Sequence, residues 1–348
     1  MNSRSPEQVK AALHKFCSER SSTFIPMEPL SDPLEIVPDT VFQFTVQHRR
    51  YQRCVARLYM GLDNHLGGRM WQQEAQSLLR LSARRHPALP QVREGLFRDQ
   101  DGVGVLVSET SGEILTRDDV AGFRKNPNAT FRQFILVADA VRTLHAQGLI
   151  HRDIWRGSFE LVYPDNQLPA ALTNIRLFGF EMSAFVAALA DPTWRTLPNE
   201  KQKLQQYWEH GGDERLLYRA PEAVASENES SGLDLTYRSD IFSLGIVAFH
   251  WFIGDLPGEL RADRSQDASG KFVAIVDRMI SDQKNIAAPL KDLLRKMIKL
   301  DPRSRPTASE ASTVCGAPLR TSTEVSKTAK PLAITRTLYV PGARPLMV

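Results

Sequence analysis

Apolar and polar positions follow two different rhythms along this chain. Residues 6 to 20 place Val9, Ala12, Leu13 and Phe16 at helical spacing after Ser5-Pro6, which predicts a short leading helix. Between residues 30 and 60 the segments "LEIV", "TVFQFTVQ" and "RCVARLYM" mix β-branched and aromatic residues with polar ones, and no helical period competes. They predict a small antiparallel sheet. "MWQQEAQSLLRLSARR" returns to helical spacing, with Trp71, Leu78 and Leu81, and His86-Pro87 stops it. "VREGLFRD" and "GVGVLVSE" follow as two strands joined by the turn "DQDG".

After about residue 115 the balance reverses. "FRQFILVADAVRTLHAQG" sets Phe134, Val137, Val141 and Leu144 on one face and ends at Gly148, a long amphipathic helix with a glycine stop. "SDIFSLGIVAFHWFI" is apolar nearly throughout yet too short for a membrane span, so it predicts a buried core helix. "APLKDLLRKMIKL" predicts a further amphipathic helix closed by Asp301-Pro302. A smaller sheet-rich half therefore precedes a larger helical half, an α+β order with its boundary near residues 109 to 115. The 33 residues from Gly316 hold one acidic residue, Glu324, and are rich in Thr, Ser, Ala and Pro, which predicts a tail or the start of a following unit.

Composition narrows the class. With 42% hydrophobic and 24% charged residues among 348, the chain can fold and bury a core. The net charge of +4 is spread among 40 acidic residues rather than gathered in a run, so neither nucleic acid nor a membrane surface is an expected partner. Cys17, Cys54 and Cys315 are odd in number and far apart, unlike a disulfide framework or a zinc site. With no secretory apolar core at the N-terminus, a reducing, cytoplasmic setting is expected.

Four motifs in order carry a resemblance. "LHAQGLIHRD" is similar to the entry of the catalytic loop of eukaryotic-type protein kinases, and "YRAPEAV" from Tyr218 to the Ala-Pro-Glu signature of that family. "SDIFSLGIV" resembles the helix that carries a structural aspartate, here Asp240, and "LLRKMIKLDPRSRPTASEA" the closing segment with a structural arginine, here Arg305. Glu74 falls where the family has its helix αC glutamate, and Ser108 and Glu109 fall at the hinge beside the adenine edge. The resemblance implies a two-lobed protein kinase-like fold: an N-terminal helical extension over 1–29, an N-lobe over 30–110, a C-lobe over 111–315 and a tail over 316–348.

Kinase chemistry is positioning and charge neutralisation by a few groups, and these can be checked one at a time. The chain has no glycine before Gly61, so the glycine clamp over the phosphates is missing. Aligning Val55 and Ala56 with the family's Val-Ala pair puts Leu58 at the lysine position and leaves Arg57 one residue early, on the opposite sheet face, with Glu74 lacking its usual partner. His151, Arg152 and Asp153 stand as in the family, which makes Asp153 the catalytic base of an active enzyme or a residue whose hydrogen bonds hold the loop. Ser158 replaces the metal-binding asparagine and Trp155 the loop lysine. "GFE" replaces Asp-Phe-Gly, so Gly179 stands for the metal-binding aspartate and Glu181 for the glycine; Glu181 either reaches the metal by rearrangement or is a surface or ion-paired residue. Glu222 with Arg305, and Asp240, preserve architecture.

The expectation is a pseudokinase, a binding and regulatory scaffold with protein partners, in which Glu74, Glu109 and Ser158 are the residues placed to meet a nucleotide. The alternative is an atypical active Ser/Thr kinase that uses ATP and Mg²⁺, with Asp153 as base, Arg57 or another cation for the phosphates and Glu181 or Asn174 for the metal. The segment 182–217, with Trp194, Tyr207 and Trp208, packs over the cleft or displays aromatics to a partner. A third arrangement makes the domain one regulatory part of a longer polypeptide.

Overall fold

A computed structural model of the chain describes residues 5–25, 32–37, 39–50, 52–62, 65–98, 102–108, 113–162, 174–185, 212–222, 236–256 and 266–321. Most of the "DQDG" turn, Glu109, the aromatic residues Trp194, Tyr207 and Trp208, and the tail beyond residue 321 lie outside them.

Helix α1, Pro6–Glu19, starts where Ser5 and Gln8 exchange side-chain and backbone hydrogen bonds, with Pro6 in the first turn. Its inner face, Val9, Leu13, Phe16 and Cys17, is buried. That face packs on the outer side of a six-stranded antiparallel sheet, against Phe42, Phe44, Cys54, Ala56, Leu58, Val105 and Val107. Each valine, leucine or phenylalanine among them, taken fully from water, contributes about 1.5–3 kcal/mol before the entropy of ordering is subtracted.

The sheet contains β1 (Phe24–Ile25), β2 (Leu34–Val37), β3 (Val41–His48), β4 (Gln52–Tyr59), β5 (Val92–Arg98) and β6 (Gly104–Ser108), in the order β1-β3-β4-β6-β5, with β2 also paired to β3. Strand alternation divides β4 sharply. Cys54, Ala56 and Leu58 face α1, whereas Tyr59 joins the main core on the other side, where α2 (His65–Ser82) lies.

The larger lobe is mainly helical. Helix α3 (Arg117–Arg124) is capped by Thr116 with Asp119, and α4 (Pro127–Ala146) by Asn126. The chain leaves α4 through Gly148 at φ +76°, a backbone conformation open to glycine. Short ladders follow: β10 (Asn174–Leu177), β9 (Phe159–Val162) and β7 (Glu113–Ile114) form one, and β11 (Ala184–Phe185) pairs with β8 (Leu149–Ile150). Helices α5 (Gly212–Leu216), α6 (Tyr237–Phe252), α7 (Gln266–Asp282), α8 (Ala288–Met297) and α9 (Ala308–Thr321) complete the described part.

Every residue of α6 from Ser239 onward is buried, which is why its apolar residues lie on all sides of the helix rather than in one stripe. Trp251 near its end meets the rings of Phe123, Phe134 and Phe159 at 5.1–6.4 Å, tying α3, α4 and β9 to one centre. Among the described residues no helix is long and apolar enough to cross a membrane.

Candidate functional site

Between the lobes, Arg57 leaves the inner face of β4 and collects two carboxylates. Its Nη1 donates to Glu74 Oε1 at 2.6 Å, from α2, and to Glu181 Oε2 at 2.9 Å, from the turn after β10. Its Nε donates to Gln43 Oε1 at 3.1 Å on the neighbouring strand, and the guanidinium carbon lies 5.3 Å from the centre of the Phe178 ring. Glu74 and Glu181 are each 2% exposed. Burial pushes the Glu74 carboxyl up to about 7 against the opposing pull of Arg57, and the neighbouring Glu181 charge adds to the rise.

This corrects the register expected for β4. Leu58 is fully buried under α1, and Arg57 is the residue that faces Glu74. The reason is the outer face: α1 requires apolar partners at 54, 56 and 58, and strand alternation then turns Arg57 inward. Glu74 therefore has a cation partner, contrary to expectation. Glu181, of the two alternatives left for it, is ion-paired, and it is buried rather than on the surface.

The loop after β8 is held from below by Asp240 of α6. Its two oxygens accept from the backbone N–H groups of His151 (2.7 Å) and Arg152 (2.8 Å), and Oδ2 also meets His145 Nε2 at 3.0 Å. Arg152 sits at φ +70°, a strained conformation worth about 1–3 kcal/mol for a residue with a Cβ, so the paired acceptance fixes a kink that the chain would otherwise relax. His151 Nε2 faces the Phe178 carbonyl at 3.1 Å and so carries the proton; burial lowers the imidazole pKa and keeps the ring neutral.

Asp153 follows at the tip of the loop, 8% exposed, and both of its oxygens face Arg215 of α5. Arg215 Nε donates to Oδ1 at 2.9 Å and Nη2 donates to Oδ2. The Arg215 guanidinium carbon also lies 5.3 Å from the centre of the Trp155 ring. Trp155 itself folds over Gly157, where a Cβ would come within 2.3 Å of the indole. Ser158 Oγ donates to the Asp153 carbonyl at 2.6 Å and accepts from the Trp155 amide at 3.1 Å, so its hydroxyl closes the turn.

The adjacent Glu214 makes the opposite contact. It accepts from Arg156 Nε at 2.6 Å and Nη2 at 3.0 Å, and from Arg117 Nη2 at 2.9 Å. Burial alone would raise the Glu214 pKa, but the hydrogen bonds and charges of Arg156 and Arg117 outweigh it and hold the carboxyl at about 2. The Ala-Pro-Glu segment is anchored nearby, with Glu222 accepting from Arg305 Nη1 at 2.6 Å and Nη2 at 2.8 Å.

The model of the protein kinase domain family matches residues 45–314. The chain belongs to the protein kinase family. Relatives include an Aurora kinase of Dictyostelium discoideum, 26% identical over 65% of this chain and 49% of the relative. Calcium-dependent protein kinase 12 of rice is 28% identical over 62% of this chain and 35% of the relative. The peroxide stress-activated histidine kinase mak3 of Schizosaccharomyces pombe is 25% identical over 52% of this chain and 6% of that protein. The chain spans half or less of the length of these three curated relatives.

Within this kinase fold, the two positions that hold Mg²⁺ in the family carry Gly179 and Ser158, which fit that ion poorly. Gly179, at φ +85°, offers no carboxylate. A Cβ there would lie 3.8 Å from both Glu181 oxygens, so the Glu181 side chain turns back beside the missing aspartate, but toward Arg57. The Ser158 hydroxyl oxygen, a single neutral donor atom where the family has an amide, already accepts from the Trp155 amide at 3.1 Å. Among the described residues no cluster of three or more His, Cys, Asp or Glu side chains could hold a metal ion. Of the residues expected to meet a nucleotide, Glu74 and Ser158 are described and both are buried, while Glu109 lies outside the described residues; Asn174 begins β10.

Arg215 and Glu214 were not foreseen. They lie 62 and 58 residues from their partners Asp153 and Arg156, and no local periodicity marks such a pair. The one signal available was the combination of Trp155 with Gly157, an aromatic ring replacing a cation beside a residue small enough to receive it.

Proposed function

We propose that this kinase domain works as a pseudokinase, a binding and regulatory module that takes part in signalling through a protein partner. The observation that carries the reading is the engagement of both Asp153 oxygens by Arg215. A general base must present an oxygen to the substrate hydroxyl at about 2.6–3.2 Å, and here a buried guanidinium stands in that place. The absent carboxylate at Gly179 and the ion-paired Glu181 support the same reading from the metal side.

A second reading, an atypical active Ser/Thr kinase, draws on one specific contact. Arg57 reaches Glu74 from the strand that carries the family's lysine, so a cation does face the cleft. Two measurements on the purified protein separate the readings: transfer of labelled phosphate from ATP to generic protein substrates or to itself, and thermal unfolding with ATP, with and without Mg²⁺. The pseudokinase reading expects no transfer above that of a D153N control and no Mg²⁺-dependent shift. Transfer that disappears in D153N would establish the active enzyme.

A further inference from the structure

The contact that occupies Asp153 has the form of a ligand site. A carboxylate that accepts from Nε and Nη2 of one arginine presents both oxygens to the planar fork, a geometry that an ammonium group cannot match. An indole 5.3 Å from the guanidinium carbon adds an aromatic wall, and Gly157 leaves the room in which that wall stands. Carboxylate, aromatic ring and burial together are the parts from which a guanidinium pocket is built. All three belong to the loop 153–158, and the arginine that fills them arrives from α5, a helix of only five residues.

The second half of the contact repeats the logic with reversed sign. Arg156, three residues after Asp153, takes Glu214, the residue before Arg215. The loop therefore offers a negative and then a positive group, and α5 answers with a Glu-Arg pair.

We propose that the loop 153–158 is an arginine receptor, filled within the chain by Arg215 and open to an arginine side chain of a protein partner when α5 is displaced. This deepens the pseudokinase reading by naming what the altered loop binds: a peptide segment with an arginine, favoured by an acidic residue just before it. It rests on Asp153 holding a cation instead of accepting a proton. The test uses no nucleotide, so its failure is distinguishable from the appearance of phosphate transfer.

The experiment is chemical rescue. The variant R215A is titrated with N-acetyl-arginine amide and, separately, with N-acetyl-lysine amide, and thermal unfolding is followed. The arginine amide is expected to raise the R215A midpoint by about 3 °C at roughly ten times its dissociation constant, with the lysine amide at least fivefold less effective. D153N/R215A is expected to lose the response, W155A/R215A to weaken it, and the wild-type protein, its pocket already filled, to give a smaller shift. An equal response to both amides, no response in R215A, or a response that survives D153N overturns the proposal. If R215A does not purify folded, R215Q, which keeps part of the stem but removes the cation, is titrated in its place, and the same outcomes decide.

Discussion

Arg57 donates from a single nitrogen to Glu74 at 2.6 Å and to Glu181 at 2.9 Å, so one buried cation joins helix α2 of the small lobe to the segment that follows β10 in the large one. Removing it leaves two carboxylates facing each other in the interior. Arg57→Met is expected to destabilise the protein by about 3–5 kcal/mol, the range for breaking a buried pair, whereas Arg57→Lys is expected to cost less because a point charge can still meet one carboxylate. Urea unfolding of the two variants beside the wild type checks the order; equal losses would show that the charge is not what matters there.

The same cluster makes stability depend on pH. Glu74 titrates at 4.5 when exposed and at about 7 in the folded protein, so the folded state binds the extra proton. Its favourable contribution is complete below 4.5 and is lost as the pH rises through about 7. Glu74→Gln is expected to stay level across that window while the wild type declines relative to it. Urea midpoints measured at intervals from pH 5 to pH 8 give the comparison.

Glu214 acts in the opposite sense and at lower pH. Its carboxyl falls from 4.5 to about 2 on folding, so it favours the folded state above 4.5 and ceases to do so as the pH falls through about 2. Glu214→Gln is expected to lose stability at neutral pH and to have a shallower acid limb than the wild type. An acid titration followed by tryptophan fluorescence reads both, since Trp155 sits against the neighbouring Arg215.

Gly157→Ala is expected to destabilise by about 1–3 kcal/mol, because the new methyl would meet the Trp155 ring within 2.3 Å. Trp155→Ala removes the obstacle, so the double variant W155A/G157A should cost clearly less than the sum of the two single ones. Additive losses in this cycle would place the indole elsewhere.

Asp240→Ala would strand the buried backbone N–H of His151 and the half-buried one of Arg152, and release the strained φ of Arg152. A loss of about 2–5 kcal/mol is expected, and amide exchange at 151 and 152 should accelerate more than exchange in the middle of α4.

Elements whose pattern ran over several periods were legible in the sequence. The leading helix, the strands around residues 34–59, α4 and the almost wholly buried α6 all emerged close to their observed bounds, because one buried face or a buried circumference dictates each. The two-residue strands β1, β7, β8 and β11 were not, since two residues hold no period and their pairing comes from the tertiary frame. Helix α3 was missed because Arg117, Asp118 and Arg124 mask a short apolar stripe. In the site, Asp240 and the Glu222 and Arg305 pair followed from motif position. The role of Arg57 did not, because the register of β4 was taken from two small residues, while the deciding fact is what covers the outer face of the sheet. Arg215 escaped for a different reason: its partner is distant in sequence and the contact is made by side chains alone.

Helix α1 lies ahead of residue 45, where the match to the family begins, yet Val9, Leu13, Phe16 and Cys17 share one hydrophobic cluster with the strands inside that match. An expression fragment cut to the family boundary would bare Cys54, Ala56 and Leu58 to water and loosen the strand that aims Arg57 at the cleft. In this protein the segment recognisable by descent is shorter than the segment that folds.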